Sequence, residues 1–215
     1  MRIGIIGAGN IGGALNRLFV AAGHNVSVAN SRGPDSLEEL ARSTGARATD
    51  IDHVAIGAEV VVVTIPMRSV PALPAGLLDK AVDGVVVIDT CNYYPQRDGH
   101  IEAVESGTAE SRWVSEQIGY PVVKAFNTIQ AQHLLDLGRP KGEPGRVALP
   151  VSGDDERAKA VVMGLIDEIG FDPVDAGKLD DSWRQQPGSP VYAKDFDAGK
   201  TRSAIAEAKP PRAQS

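Results

Sequence analysis

Short apolar runs alternate with amphipathic stretches along most of this chain, and the alternation predicts a repeating strand–helix architecture. Ile3, Ile5 and Ile6 form a first buried strand, and Ile11, Leu15, Leu18 and Phe19 recur at spacings of three and four along the helix behind it. Asn25 to Asn30 is a second strand. Pro34-Asp35-Ser36 opens a helix with Leu37, Leu40 and Ala41 on one side, and Arg47 to Thr49 is a short third strand. Thr49 or Asp50 then caps a brief helix through Ile56. Val60 to Ile65 is apolar on both faces, as the middle of a parallel sheet requires. A helix over Ser69 to Leu78 meets Pro71 and Pro74, which shorten or kink it. Val85 to Asp89 and Val122 to Phe126 are the fifth and sixth strands.

Two further strands follow at Val147 to Val151 and Phe171 to Val174, separated by a helix from Asp155 to Ile169. Asp154 or Asp155 is the candidate N-cap of that helix and Gly170 its stop. These strands are expected to extend the same sheet. The fold class is α/β, a doubly wound and mostly parallel sheet of about eight strands with order 3-2-1-4-5-6 in its first six. One domain spans 1–199, with a core at 1–150 and a sheet extension and C-terminal segment at 151–199. Residues 200–215, with Pro210-Pro211, read as a polar, partly disordered or packing tail. The polar stretch from Tyr94 to Trp113 fits no element and is expected to be a lid or a partner-binding loop.

Composition narrows the partners. The 215 residues carry 22 Lys and Arg against 28 Asp and Glu, a formal charge of −6, which argues against a nucleic-acid surface. No apolar run approaches the roughly 18 residues of a membrane span. The first strand begins at residue 2, so no signal peptide is expected and a cytoplasmic protein is. One cysteine, Cys91, leaves no internal disulfide and no multi-cysteine metal site. A homodimer is the base-rate expectation.

The chemistry sits at the turn after the first strand, Gly7-Ala8-Gly9-Asn10-Ile11-Gly12. In a strand–turn–helix context the first glycine permits the turn, the second lets backbone approach a pyrophosphate, and the third lets the helix pack on the strand. The phosphates then lie on the helix N-terminus. An NAD-binding chain places Asp or Glu about 20 residues further on, to accept from the ribose 2′-hydroxyl. Asn30-Ser31-Arg32 stands there instead, beginning 18 positions after Gly12. Ser31 offers a hydroxyl donor and Arg32 a charged fork to a 2′-phosphate, so NADP(H) is expected in preference to NAD(H).

Ligands of such sheets bind outside the carboxyl ends of the strands. Beyond the glycine turn, the candidate cofactor contacts are therefore Ile65, Pro66 and Met67 after the fourth strand, Asn92 after the fifth, and Ala125 and Asn127 at the sixth. Asn92 and Asn127 can each donate and accept, toward a carboxamide or a second substrate. No catalytic residue and no metal ligand is assigned. His24, His53, His100 and His133 lie in turns, loops or helices away from the strand exits, and Lys124 reads as a strand-edge cation or a satisfied interior group. A cofactor site without an evident acid–base pair suits hydride transfer between two carriers, where positioning carries the rate.

Gly7 to Gly12, Asn30-Ser31-Arg32, Asp89-Thr90-Cys91-Asn92-Tyr93-Tyr94-Pro95, Val123-Lys124-Ala125-Phe126-Asn127-Thr128 and Trp183 to Pro190 together resemble the deazaflavin (coenzyme F-420)-dependent NADP oxidoreductase family. That family is itself similar to the cytosolic domains of transmembrane metalloreductases, which pass electrons through a flavin. The resemblance implies NADP on the glycine turn with Ser31 and Arg32 at the 2′-phosphate. It also implies a second hydride carrier, a deazaflavin or else FMN or FAD, near Pro66, Asn92 and Asn127. As a separate expectation, Pro187 to Pro190 closes over the acceptor pocket. Two other functions remain compatible with the sequence: reduction of a small imine or keto acid, and a non-catalytic NADPH-sensing module.

Overall fold

The computed structural model of the chain describes residues 1–210. Six parallel strands, β1 (Arg2–Ile6), β2 (Asn25–Ala29), β3 (Arg47–Ala48), β4 (Val60–Val63), β5 (Val86–Asp89) and β6 (Val122–Lys124), form one sheet in the order β3-β2-β1-β4-β5-β6. β1 is central because both of its edges are paired, Ile3 lying opposite Val26 on one side and Val60 on the other. Successive side chains leave a strand on opposite faces, so the valine runs feed two cores. Ile3, Ile5, Val60, Val62, Val86 and Ile88 enter one core, and Ile6, Val61, Val63, Val85 and Val87 enter the other.

Helices cover each face. α1 (Asn10–Ala21) buries Leu15 and Phe19 on the first face, where α6 (Ala131–Asp136) adds Leu134 and α7 (Glu156–Glu168) adds Val162, Leu165 and Ile166. α7 begins where expected: the Asp155 carboxylate accepts from the Arg157 and Ala158 backbone N–H groups at 2.8 and 3.2 Å. On the second face lie Trp113 and Val114 of α5 (Glu110–Ile118). The expected helix over 69–78 is a 3-10 turn, Met67–Ala72, that contains Pro71 and whose Met67 and Val70 pack into this second core. α2 (Glu38–Thr44) follows β2 at the sheet edge.

Three expectations are corrected. β7 (Ala148–Val151) and β8 (Asp172–Asp175) pair with each other in parallel, but they form a separate two-stranded sheet. Only an antiparallel bridge between Lys124 and Ser152 joins it to β6, with Lys124 N–H donating to Ser152 O at 2.8 Å and the reverse bond at 3.1 Å. β6 is three residues long, and Pro150 and Pro173 have no N–H to offer a longer ladder. The stretch 94–113 is not a loop: it holds α3 (Pro95–Asp98), α4 (Glu102–Glu105) and the start of α5, tied by the Tyr93 hydroxyl to Gly99 O at 2.7 Å.

The supposed tail is a helix as far as residue 207. α8 (Ala198–Glu207) is capped by Asp197, whose carboxylate accepts from Lys200 N–H at 2.9 Å, and it buries Thr201, Ala204 and Ile205. Ala204 and Ile205 pack with Ala148, Val174 and Val191 over the small sheet. Residues 211–215 of the expected tail lie outside the described residues. No helix among the described residues is long and apolar enough to cross a membrane.

Phe19 is fully buried and meets Phe126 edge-on, with ring centroids 6.3 Å apart, so it links α1 to the end of β6. Phe19→Ala is expected to lower unfolding free energy by about 3–5 kcal/mol. Urea denaturation of both proteins measures this; a loss below about 1 kcal/mol, the level of an ordinary surface change, would contradict the packing described.

Candidate functional site

The glycine turn has the geometry its sequence calls for. Gly7 has φ +109°, and a Cβ there would stand 2.2 Å from Thr64 O. A Cβ on Gly12 would stand 2.1 Å from Gly7 O and 2.7 Å from Thr64 Cγ2, so these two glycines let α1 sit directly on the β1–β4 edge. Gly9 differs: a Cβ there would meet nothing within 4 Å, because it would project into open space above the helix. No side chain caps α1 and its first turn contains no acid, leaving the positive end of a twelve-residue helix facing that space.

A cleft of about 870 Å³ starts at this turn and crosses the carboxyl ends of β4, β5 and β6. Of the expected contacts it gathers Gly9, Asn10, Ile11, Ile65, Pro66, Asn92 and Asn127. Gly7 and Gly12 lie beneath it as packing. Met67 and Ala125 do not reach it: both are fully buried, one in each core, because the chain turns their side chains under the sheet ends. Asn30, Ser31 and Arg32 lie beyond its wall at the end of β2. There the Asn30 amide is used locally, accepting from Arg32 N–H at 2.8 Å and donating to Ser36 Oγ at 2.9 Å, while Ser31 and Arg32 are exposed. Residues 187–190 line a second cleft, of about 690 Å³, with Tyr93, Glu110 and Trp183, whereas Tyr192 and Ala193 beyond them line the first.

The cleft floor is fixed by a buried ionic group that positions its asparagines. Lys124 is fully buried; its ammonium lies 3.2 Å from Asp89 Oδ2, 4.0 Å from Glu110 Oε2, and donates to Cys91 O. Asp89 in turn accepts from Cys91 N–H at 2.8 Å and from Ser111 Oγ at 2.6 Å. Both backbone polar groups of Cys91 are thereby held, and the next residue, Asn92, enters the cleft. On the other strand Phe126 adopts φ +61°, which turns the chain so that Asn127 faces Asn92. Asn127 Nδ2 donates to Asn92 Oδ1 at 3.0 Å and to Gln185 O at 2.7 Å, and Asn92 Nδ2 donates to Asn127 O at 3.1 Å.

Burial alone would pull the Lys124 ammonium toward neutrality, but Asp89 and then Glu110 hold its pKa above the ordinary lysine value. Burial pushes the Cys91 thiol well up, so it stays a neutral thiol. Burial also raises Glu110 to about 7, against the pull of Lys124, and its Oε2 has no hydrogen-bond partner among the described residues. Sequence reasoning left Lys124 undecided and missed Glu110, Tyr94 and Tyr192. One signal existed: Asp89 and Lys124 are opposite charges at the ends of adjacent apolar runs, and the register pairs them directly. No pattern marks Tyr192, which comes from an irregular segment. The four histidines stay away from the cleft; His24 pairs with Glu168 at 3.0 Å and His133 with Asp195 at 2.8 Å. Among the described residues no cluster of His, Cys, Asp and Glu is arranged to hold a metal.

Lys124→Met leaves Asp89 buried without its counter-charge and is expected to cost about 3–5 kcal/mol, read from denaturant midpoints. Glu110 carries an opposite expectation. Its folded pKa of about 7 lies above the ordinary 4.5, so its stabilising contribution is complete below pH 4.5 and is lost as pH rises through 7. Between pH 5 and 8 the wild type should therefore lose about 2–3 kcal/mol relative to Glu110→Gln. Parallel stability curves for the two proteins over that range would refute the burial assigned to this carboxyl.

Residues 2–93 match the family described as "NADP oxidoreductase coenzyme F420-dependent". The F420-dependent NADP reductase of Methanothermobacter thermautotrophicus is 29% identical over 200 residues, covering 85% of this chain and 83% of that protein. Protein YjhV of Escherichia coli K12 is 44% identical over 77 residues, covering 35% of this chain and 56% of that one. The present chain thus spans little more than half of YjhV. The crystal structure of a hypothetical protein from Sinorhizobium meliloti superposes with a TM-score of 0.75 at 33% identity, over 91% of this chain and 94% of that one. The region matched by the family model contains the glycine turn, Asn30–Arg32 and Asn92, and the chain is similar over most of its length to an NADP reductase described as F420-dependent.

Proposed function

We propose that this protein transfers hydride between NADP(H) and a deazaflavin. The observation that carries this reading is the uncapped turn at Gly9, which opens into the same cleft that Asn92 and Asn127 close at its far end. The free N–H groups at the start of α1 would hold the pyrophosphate. Exposed Ser31 and Arg32, in the place where an acid would repel it, would hold the 2′-phosphate. Pro66, Asn92 and Asn127 would border the nicotinamide, the two amides being locked in orientation by their mutual bonds. The deazaflavin is supported by the family match and by the similarity to the Methanothermobacter reductase.

NADPH oxidation should be followed with a deazaflavin, FMN, FAD, a ferric chelate and a cyclic imine offered in turn. Turnover with the deazaflavin supports the proposal. Turnover only with the imine would favour a small-substrate reductase, and saturable NADPH binding without turnover a sensing module. Arg32→Ala should weaken NADPH roughly ten- to a hundredfold, as expected for losing a charge-assisted contact of about 1.5–3 kcal/mol, and leave NADH nearly unchanged. Calorimetric titration with both coenzymes tests this; equal losses would remove Arg32 from the phosphate site. Gly9→Val fills the one open position of the turn and should abolish binding of either coenzyme while the protein stays folded.

A further inference from the structure

We propose that the paired phenols of Tyr94 and Tyr192 supply the proton that accompanies hydride transfer in this cleft; the proposal rests on the assignment of the cleft to NADP(H). Tyr94 leaves the turn after β5, and Tyr192 arrives from the irregular segment before α8. Their hydroxyls are hydrogen-bonded to each other, and both rings line the cleft beside Asn92 and Asn127. Two phenols hold two hydroxyl hydrogens, and the bond between them uses one. Neither oxygen donates to any other group among the described residues, so one hydrogen is spare whichever tyrosine is the internal donor. The remaining contact is incoming, Asn92 Nδ2 donating to the Tyr192 oxygen at 3.4 Å.

The surroundings suit a donor. Arg97 places its guanidinium 4.9 Å from the centroid of the Tyr94 ring and donates to Asn92 O at 2.6 Å, while Asp98 accepts from it at 2.8 and 3.1 Å, so the group behind the pair is a guanidinium held in place by its own counter-ion. Ala193, at φ +54°, donates its N–H to Thr128 O at 2.9 Å and clamps Tyr192 against the turn that carries Asn127. Burial, with the Tyr94 contact added, pushes the Tyr192 phenol above its ordinary value, which makes it a weaker acid: the hydroxyl keeps its hydrogen at neutral pH and yields it only to a strongly basic atom such as the one hydride transfer creates.

The step balances as follows. The C–H bond of the reduced nicotinamide breaks, and its electron pair forms a new C–H bond on the acceptor. The displaced pair collects on an acceptor nitrogen or oxygen, which takes the spare hydroxyl hydrogen. The phenolate left behind is held by the remaining O–H and the Asn92 amide, and it regains a proton from water at partly exposed Tyr94.

Tyr192→Phe, Tyr94→Phe and the double variant test this in the full chain, with whichever of 5-deazariboflavin, FMN and 1-pyrroline the wild type reduces. Removal of a general acid predicts a fall in kcat of roughly a hundredfold in each single variant, with NADPH affinity held within about twofold. Because the phenols act as one unit, the double variant should fall well short of the product of the single losses. Wild-type kcat should slow in deuterated water, and that slowing should vanish in the double variant, which a merely structural role would not produce. Variants with near-wild-type kcat, or an unchanged solvent isotope effect, would overturn the donor role while leaving the NADP site intact. A wild type that fails to bind NADPH would overturn both.

Discussion

The ion pair between Asp89 and Lys124 is the interaction on which the site depends. Two charges removed from water cost several kcal/mol each, and the cost is offset only where every remaining bonding position is filled. Here Asp89 accepts from Lys124, Ser111 and Cys91, and Lys124 spends another hydrogen on Cys91 O. The bonds that satisfy the pair are therefore the same bonds that shape the turn after β5. The backbone of Lys124 also carries the bridge to Ser152, so one residue joins the large sheet, the small sheet and the cleft floor.

A second constraint is distance. α1 lies so close to β1 and β4 that a methyl group at position 7 or 12 would overlap backbone oxygen. That closeness aims the N-terminus of α1 across the strand ends, and Gly9 leaves the approach open. Both cores press on this geometry from opposite faces, through Leu15 and Phe19 on one side and Val61, Val63 and Met67 on the other. The sheet interior thus positions a polar surface that contributes little to its own stability, as is usual where function sits on loops held by a rigid scaffold.

The C-terminal third has a comparable division of labour. β7, β8 and α8 bury a small third core of Ala148, Val174, Val191, Ala204 and Ile205. The segment between β8 and α8 holds a 3-10 helix, Leu179–Gln185, followed by irregular chain, and these deliver Gln185 to Asn127 and Tyr192 to Asn92. The annex has its own packing and closes the cleft with side chains from its connecting chain.

Periodicity and glycine chemistry were enough to read β1 to β6, α1, α7 and a cap at Asp154 or Asp155, because each is specified by neighbours a few residues apart, whereas the strand order followed from the general rule for alternating strands and helices. The same locality made Gly7, Gly9 and Gly12 legible, since strand, turn and helix are contiguous there. It failed for α8, whose buried stripe is a threonine, an alanine and one isoleucine, and for 94–113, whose helices are too short to show a period. The antiparallel join of β7 to β6 was equally hidden, because pairing direction depends on which edge is free. Asn92 and Asn127 were named from strand exits alone, but their mutual lock, the burial of Lys124 and the meeting of Tyr94 with Tyr192 belong to the folded chain. Those contacts join residues 35 to 98 positions apart, where no local preference acts and only the closing of the sheet and its annex brings the atoms together.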